Sequence, residues 1–259
     1  MGNRKHIEIL MQGAEAWNDW RGKNPGVMPD LEEADLGRAN LPGVDLREAN
    51  LHRAHMLVAK LLGADLQGAD LRGVNLRVAD LREANFKSAN LQGADLGHSD
   101  LHVANLRGAD LQEANLRGVF VVGADFREAN LRRADLQGTH LLGAKLCGAD
   151  FSGADLQGAD LHGTRLHGVN FRKADLNRAN LKGVDLHKSV LAEANLRGAQ
   201  LGEADLKGVD LSGADLREVG LSDIKHWEEI DKIEGANLAE AESAPEGFLE
   251  WCKKNGALF

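Results

Sequence analysis

Ala64-Asp65-Leu66-Gln67-Gly68 is followed at once by Ala69-Asp70-Leu71-Arg72-Gly73, and this five-residue unit decides the fold. Outward from it, every fifth residue from Leu31 to Leu221 is Leu, Phe, Met or Val: 39 centres in one unbroken register, 33 of them Leu. The residue two before each centre is Ala at 27 positions and Val at seven, and the residue between is Asp at 19 and Asn at 11. Two residues past the centre, 19 positions are Gly. A helix turns about 100° per residue, so a five-residue step would wind the leucines around its whole surface. A continuous strand has a period of two, and an odd step would send successive leucines to opposite faces. Both conflicts vanish if each unit is a three-residue extended segment followed by a turn, with Ala and Leu inward and Asp or Asn outward. Gly then suits the second central position of a type II turn, where φ is positive. Corners carrying other residues, such as Glu83 or Arg133, are expected to use another turn type. One short side cannot bury itself, so successive coils must stack at strand spacing.

On these residues the chain resembles the pentapeptide repeat proteins from residue 29 to residue 223. The resemblance implies an all-β solenoid: a right-handed, four-sided, parallel β-helix with twenty residues per coil. The flanks lack the repeat and hold all four tryptophans. Ile7, Leu10, Ala14 and Trp17 recur at helical spacing before Asn24-Pro25-Gly26. Ile224, Trp227, Ile230 and Ile233 suggest a short helix closed by Gly235, and Ala244-Pro245 a second helix with Phe248 and Trp251 on one face. The expected organisation is therefore an N-terminal helical cap (1–28), the β-helix (29–223) and a C-terminal helical cap (224–259), the α-helical caps covering open edges.

Composition narrows the function. The 259 residues carry a net charge of −9, with two cysteines, Cys147 and Cys252, and 4% aromatic residues. Mild acidity argues against direct nucleic-acid binding, and two cysteines exclude a disulfide scaffold. No apolar run reaches membrane-spanning length, and the opening residues lead into an amphipathic stretch, so a cytoplasmic protein is expected. Nucleotide-binding glycine loops and Gly-x-Ser-x-Gly settings are absent, and the regular aspartates belong to the repeat, so no enzyme activity and no cofactor are expected.

Departures from the repeat are where recognition would be written. Nine outward Asp/Asn positions are replaced: His55, Lys60, Phe120, His140, Lys145, Arg165, Val190, Gln200 and Gly220. With twenty residues per coil, positions 60, 120, 140, 200 and 220 share one face, and Leu62, Val122 and Leu142 are apolar corner residues beside them. Phe120 and Val122 are expected next to His140 and Leu142 on adjoining coils, an apolar protein-contact surface with a polar rim. The adjoining face carries Arg107, Arg127, Lys145, Arg165 and Lys207, a basic run partly offset by Asp125, Asp185 and Asp205; its plain alternative is a solvated charged face. Cys147, His167 and His187 are spaced by twenty and are of types that suit zinc or copper, yet no fourth ligand is evident, so no metal is expected.

Three functions remain open. The first is a non-enzymatic rod that binds a protein partner laterally as scaffold or regulatory competitor, a role that resemblance to cyanobacterial members implies. The second, also implied by the resemblance, is a DNA mimic that modulates bacterial type II topoisomerase. Duplex DNA carries a charge per ~1.7 Å, whereas residues 29–223 hold 29 Asp and Glu against 23 Lys and Arg. The acidic column Asp135, Asp155 and Asp175 is the local feature favouring mimicry. The third is a structural or stress-related role without a dedicated partner. Some family members dimerise through their C-terminal region, so a homodimer there is an expectation of the resemblance alone.

Overall fold

The computed structural model describes residues 2–259. The chain forms two compact units, the first ending at Asn130 and the second running Leu131–Phe259. In each unit, parallel bridges join residues twenty apart, such as Asp65 with Asn85 and Asp155 with Asp175. Four pentapeptides therefore close one coil, and the coils wind right-handed, as parallel crossovers almost always do.

The backbone donors of one pentapeptide explain its consensus. Asp65 N–H donates to the Val44 carbonyl of the preceding coil at 2.9 Å; Leu66 and Gly68 N–H donate to Asn85 and Lys87 of the next at 2.8 and 3.0 Å. Ala69 N–H closes the turn onto the Leu66 carbonyl at 3.1 Å. The fifth donor, Gln67 N–H, has no backbone acceptor and is taken by Asp65 Oδ1 at 3.2 Å. An outward Asp or Asn is thus the group that leaves no amide unpaired, as a packed backbone requires. Between coils the same side chains form ladders: Asn85 Nδ2 donates to Asp65 Oδ1 at 2.9 Å and Asn195 Nδ2 to Asp175 Oδ1 at 2.9 Å. Where Asn follows Asp, as in these two pairs, like charges are not stacked directly.

The corner expectation needs correction. All 39 corners have positive φ, Glu83 (60°) and Arg133 (55°) as much as Gly68 (67°). The coil closes only with this one turn, so non-glycine residues accept the left-handed conformation at about 1–2 kcal/mol each. Inside, the repeat Leu, Ala, Val, Met and Phe side chains are buried, each large one contributing roughly 1.5–3 kcal/mol. Phe151 and Phe171 stack with ring centres 5.2 Å apart.

At the N-terminus, helices α1 (Arg4–Leu10) and α2 (Ala14–Lys23) replace a preceding coil in hydrogen bonding as well as in packing. Asp45 N–H donates to Asn18 Oδ1 at 2.8 Å, and the buried Trp17 returns Nε1–H to the Asp45 carbonyl at 2.7 Å. At the other end the expected helix over 224–235 is not formed. Trp227–Glu229 make only a 3-10 turn, and bridges continue through Asp210 with Lys232 and Asp215 with Asn237. A two-residue insertion has shifted the pairing from twenty to twenty-two, and ladder bonds outcompete a helix too short to bury its apolar face. Helix α3 (Phe248–Lys254) then packs Phe248 and Trp251 against Trp227, with ring centres 5.5 and 6.1 Å apart. Cys252, in the same helix, is buried, and desolvation pushes its thiol up to about 12. No helix among the described residues is long and apolar enough to cross a membrane.

Candidate functional site

In each unit the four walls are named by their outward central residue. Wall A contains Lys60, Asp80, Asp100 and Phe120 in the first unit, and His140, Asp160 and Asn180 in the second. Wall B contains Asp65 and Asn85 in the first, and Lys145, Arg165 and Asp185 in the second.

Phe120 (58% exposed) and Val122 (54%) stand out from wall A of the first unit, and the Phe120 ring stacks on His102 with centres 6.4 Å apart. Lys60 is exposed on the same wall, and Leu62 lies at its corner. Sequence reasoning missed Leu57, Val58, Val78 and Val103, all exposed at the corners bordering this wall. Their signal was available: Val58, Val78 and Val103 are β-branched residues at corner positions where the repeat prefers Gly, and Leu57 is apolar where polar residues dominate. Among the described residues, every exposed large apolar side chain within the first unit's repeats lies on wall A or its two corners. Val58, Val78 and Val103 hold φ of 58°, 56° and 60°, a conformation that β-branched residues strongly avoid.

In the second unit Leu142 is 53% exposed, and His140 Nδ1 is 3.8 Å from Asp160 Oδ2. The sequence expectation joined these two to Phe120 and Val122; the pairs fall in different units. The basic run separates into two kinds of residue. Arg107 pairs with Glu128 at 2.8 Å, Arg127 with Asp125 at 2.5 Å and Lys207 with Glu229 at 2.8 Å. Lys145 and Arg165 are exposed, and no carboxylate of the second unit pairs with either. His167 and His187 stack face to face at 5.0 Å, while Cys147 Sγ lies 3.7 Å from the Arg165 carbonyl oxygen. Among the described residues no three His, Cys, Asp or Glu side chains converge as a metal site.

Carboxylates on the walls are mostly engaged. The Arg47 and Arg72 guanidiniums hydrogen-bond Asp45 and Asp70 and hold both carboxyls below the usual aspartate range. The depression of about 490 Å³ near Met28 is lined by such engaged groups, His52 with Glu32 and Arg72 with Asp70.

The family described as pentapeptide repeats matches the chain in eight copies, over residues 30–61, 59–97, 84–120, 104–143, 124–163, 154–191 and 185–223. No match is found among the curated proteins. Among solved structures, the chain is similar to HetL, a pentapeptide repeat protein involved in heterocyst differentiation regulation from the cyanobacterium Nostoc sp. strain PCC 7120. Identity is 29% and the TM-score 0.43, over 86% of this chain and 92% of that one. Full-length QnrB1, a plasmid-mediated fluoroquinolone resistance protein, is 22% identical with a TM-score of 0.30, over 63% and 90%. The pentapeptide repeat protein Rfr23 from the cyanobacterium Cyanothece 51142 is 34% identical with a TM-score of 0.24, over 49% and 62%. At such TM-scores none of the three carries an argument about function.

Proposed function

The chain belongs to the pentapeptide repeat family, and from that premise we propose that it is a non-enzymatic protein-binding module, acting through its lateral walls as scaffold or regulatory competitor. The supporting observation is wall A of the first unit. Its corners keep Val58, Val78 and Val103 exposed in a strained conformation that Gly would adopt freely. About half of each side chain stays exposed (40–64%), and covering that part against a partner would recover roughly 1 kcal/mol each. Local rules broken at a cost mark recognition sites, and apolar side chains that run along one wall to Phe120, with His102 beside its ring and Lys60 further along the same wall, suit a contact surface.

The test is capture by the full chain and by a Phe120→Asp/Val122→Asp variant with an unchanged circular dichroism spectrum. The expected outcome is a partner retained by the parent, lost by the variant and bound again as a purified protein. Equal capture by both would remove wall A from the reading. A Leu142→Asp variant asks the same of the second unit. Homodimerisation through the C-terminal region is part of the proposal, and equilibrium sedimentation of the purified chain tests it.

DNA mimicry draws support from one feature, the Asp135–Asp155–Asp175 stack, beside which Gln157 Nε2 donates to Asp175 at 3.0 Å. Arginine pairing of other wall carboxylates weighs against it. Unaltered gyrase supercoiling at micromolar chain would eliminate it.

A further inference from the structure

Wall B of the second unit departs from the donor pattern at two successive coils. Every Asp and Asn at the outward position of residues 131–223 accepts the N–H two residues on, for example His187 N–H to Asp185 Oδ1 at 3.1 Å and Ser152 N–H to Asp150 Oδ1 at 2.9 Å. Lys145 and Arg165 have no acceptor atom to offer, so Cys147 and His167 N–H find no partner among the described residues. The ladder is open there as well. Position 145 is not bridged to 165, although 140 is bridged to 160, 150 to 170 and 165 to 185. Among the described residues neither Leu146 nor Arg165 N–H has a backbone acceptor, and the seam closes again at Gly148 N–H to the His167 carbonyl, 3.1 Å. Ala144 is 7% exposed, more than any other buried repeat alanine. Two like charges stacked at strand spacing repel, which accounts for the opening.

What is missing at this seam is a pair of carboxylates, and what replaces them is a pair of cations beside donors of the kind that the carboxylates of Asp150, Asp160 and Asp185 satisfy in nearby pentapeptides. We propose that Lys145, Arg165 and the N–H groups of Cys147 and His167 form a site for two carboxylates on an acidic segment of a partner protein. The proposal rests on the protein-binding reading and supplies the chemistry of that partner. Oxygens entering from outside would take the role that Asp185 Oδ1 plays one coil on, and their charge would relieve the Lys145–Arg165 repulsion. The two positions are one coil apart, the strand spacing of about 4.8 Å widened by the opening, which brings it towards the 5–6 Å between residues i and i+4 of a helix. A nucleic acid is a poorer occupant. Asp185 and Asp205 follow in the same column, so the cationic stretch ends after two coils, while phosphate-backbone binders neutralise many successive charges.

The probe is a fluorescent alanine-based peptide with Glu at i and i+4, titrated into the full chain at low salt, with the Gln-Gln peptide as control. Binding of the Glu peptide should be at least tenfold tighter than that of the control. It should fall at least tenfold in Lys145→Asp/Arg165→Asn, which restores the consensus and should melt a few degrees higher than the parent, showing an intact fold. Amide exchange at Leu146, Cys147, Arg165 and His167 should slow when the Glu peptide is added. Equal binding of both peptides, undiminished binding by the variant, or tighter binding of inorganic phosphate or duplex DNA than of the Glu peptide would each overturn the proposal. Partner capture that still depends on Phe120 would then leave the broader protein-binding reading standing.

Discussion

Asp65 with Asn85, and Lys145 with Arg165, occupy equivalent positions in the twenty-residue register of their units. The first pair is bridged, the amide of Asn85 donates to Asp65 at 2.9 Å, and Gln67 N–H is capped at 3.2 Å. The second pair has neither bridge nor cap. Beneath both, the leucines at 66 and 146 are fully buried. A core centred on leucine therefore tolerates an outer wall that is closed or open, and the wall is free to carry information the core cannot.

That contrast can be probed by removing the core under each pair. Leu66→Ala should cost about 3 kcal/mol in urea unfolding. Leu146→Ala should cost measurably less, because an already open seam can collapse into the cavity; equal losses would mean the seam is closed in solution. The next effect in size comes from transplanting the exception. Asp65→Lys/Asn85→Arg removes a cap and a ladder bond and stacks two cations, which should lower stability by about 2 kcal/mol and speed amide exchange at Leu66 and Gln67. At wall A, Val103→Gly should raise stability by about 1 kcal/mol by relieving positive φ, with partner affinity falling as stability rises. The smallest effect is expected in acid. Asp45, Asp70 and Asp80 are held below the usual aspartate value by hydrogen bonds from Arg47, Arg72 and Arg82. A depressed carboxylate adds stability above its unfolded value, near 3.9, and that stability is lost as pH falls further. Thermal melting should be flat from pH 7 to about pH 5 and decline below about pH 4, less so in Arg72→Gln.

Most of the coil was legible from Leu31 to Leu221 because each pentapeptide is a local solution to the same problem: two inward residues, one outward acceptor, one corner. The corner chemistry was misread at Glu83 and Arg133, since propensity disfavours positive φ while closure of a four-walled coil demands it at every corner. The C-terminal segment was misread for a related reason. The helical spacing of Ile224, Trp227 and Ile230 was real, but edge amides of Leu211, Gly213 and Leu216 offered that segment a ladder. Phe120, Lys145 and Arg165 stood out as broken repeats, whereas the open seam between residues 145 and 165 has no signature in either pentapeptide alone.

By itself, the order of residues determined the five-residue step, the leucine interior and which outward positions break the rule, because these depend on contacts within one short segment. Which exceptions would face one another, which arginines would be neutralised and which amides would stay unpaired was decided only when residues twenty apart were stacked. Hydrogen bonds and ion pairs between coils depend on distance in space, and a single pentapeptide holds no record of its neighbour above or below.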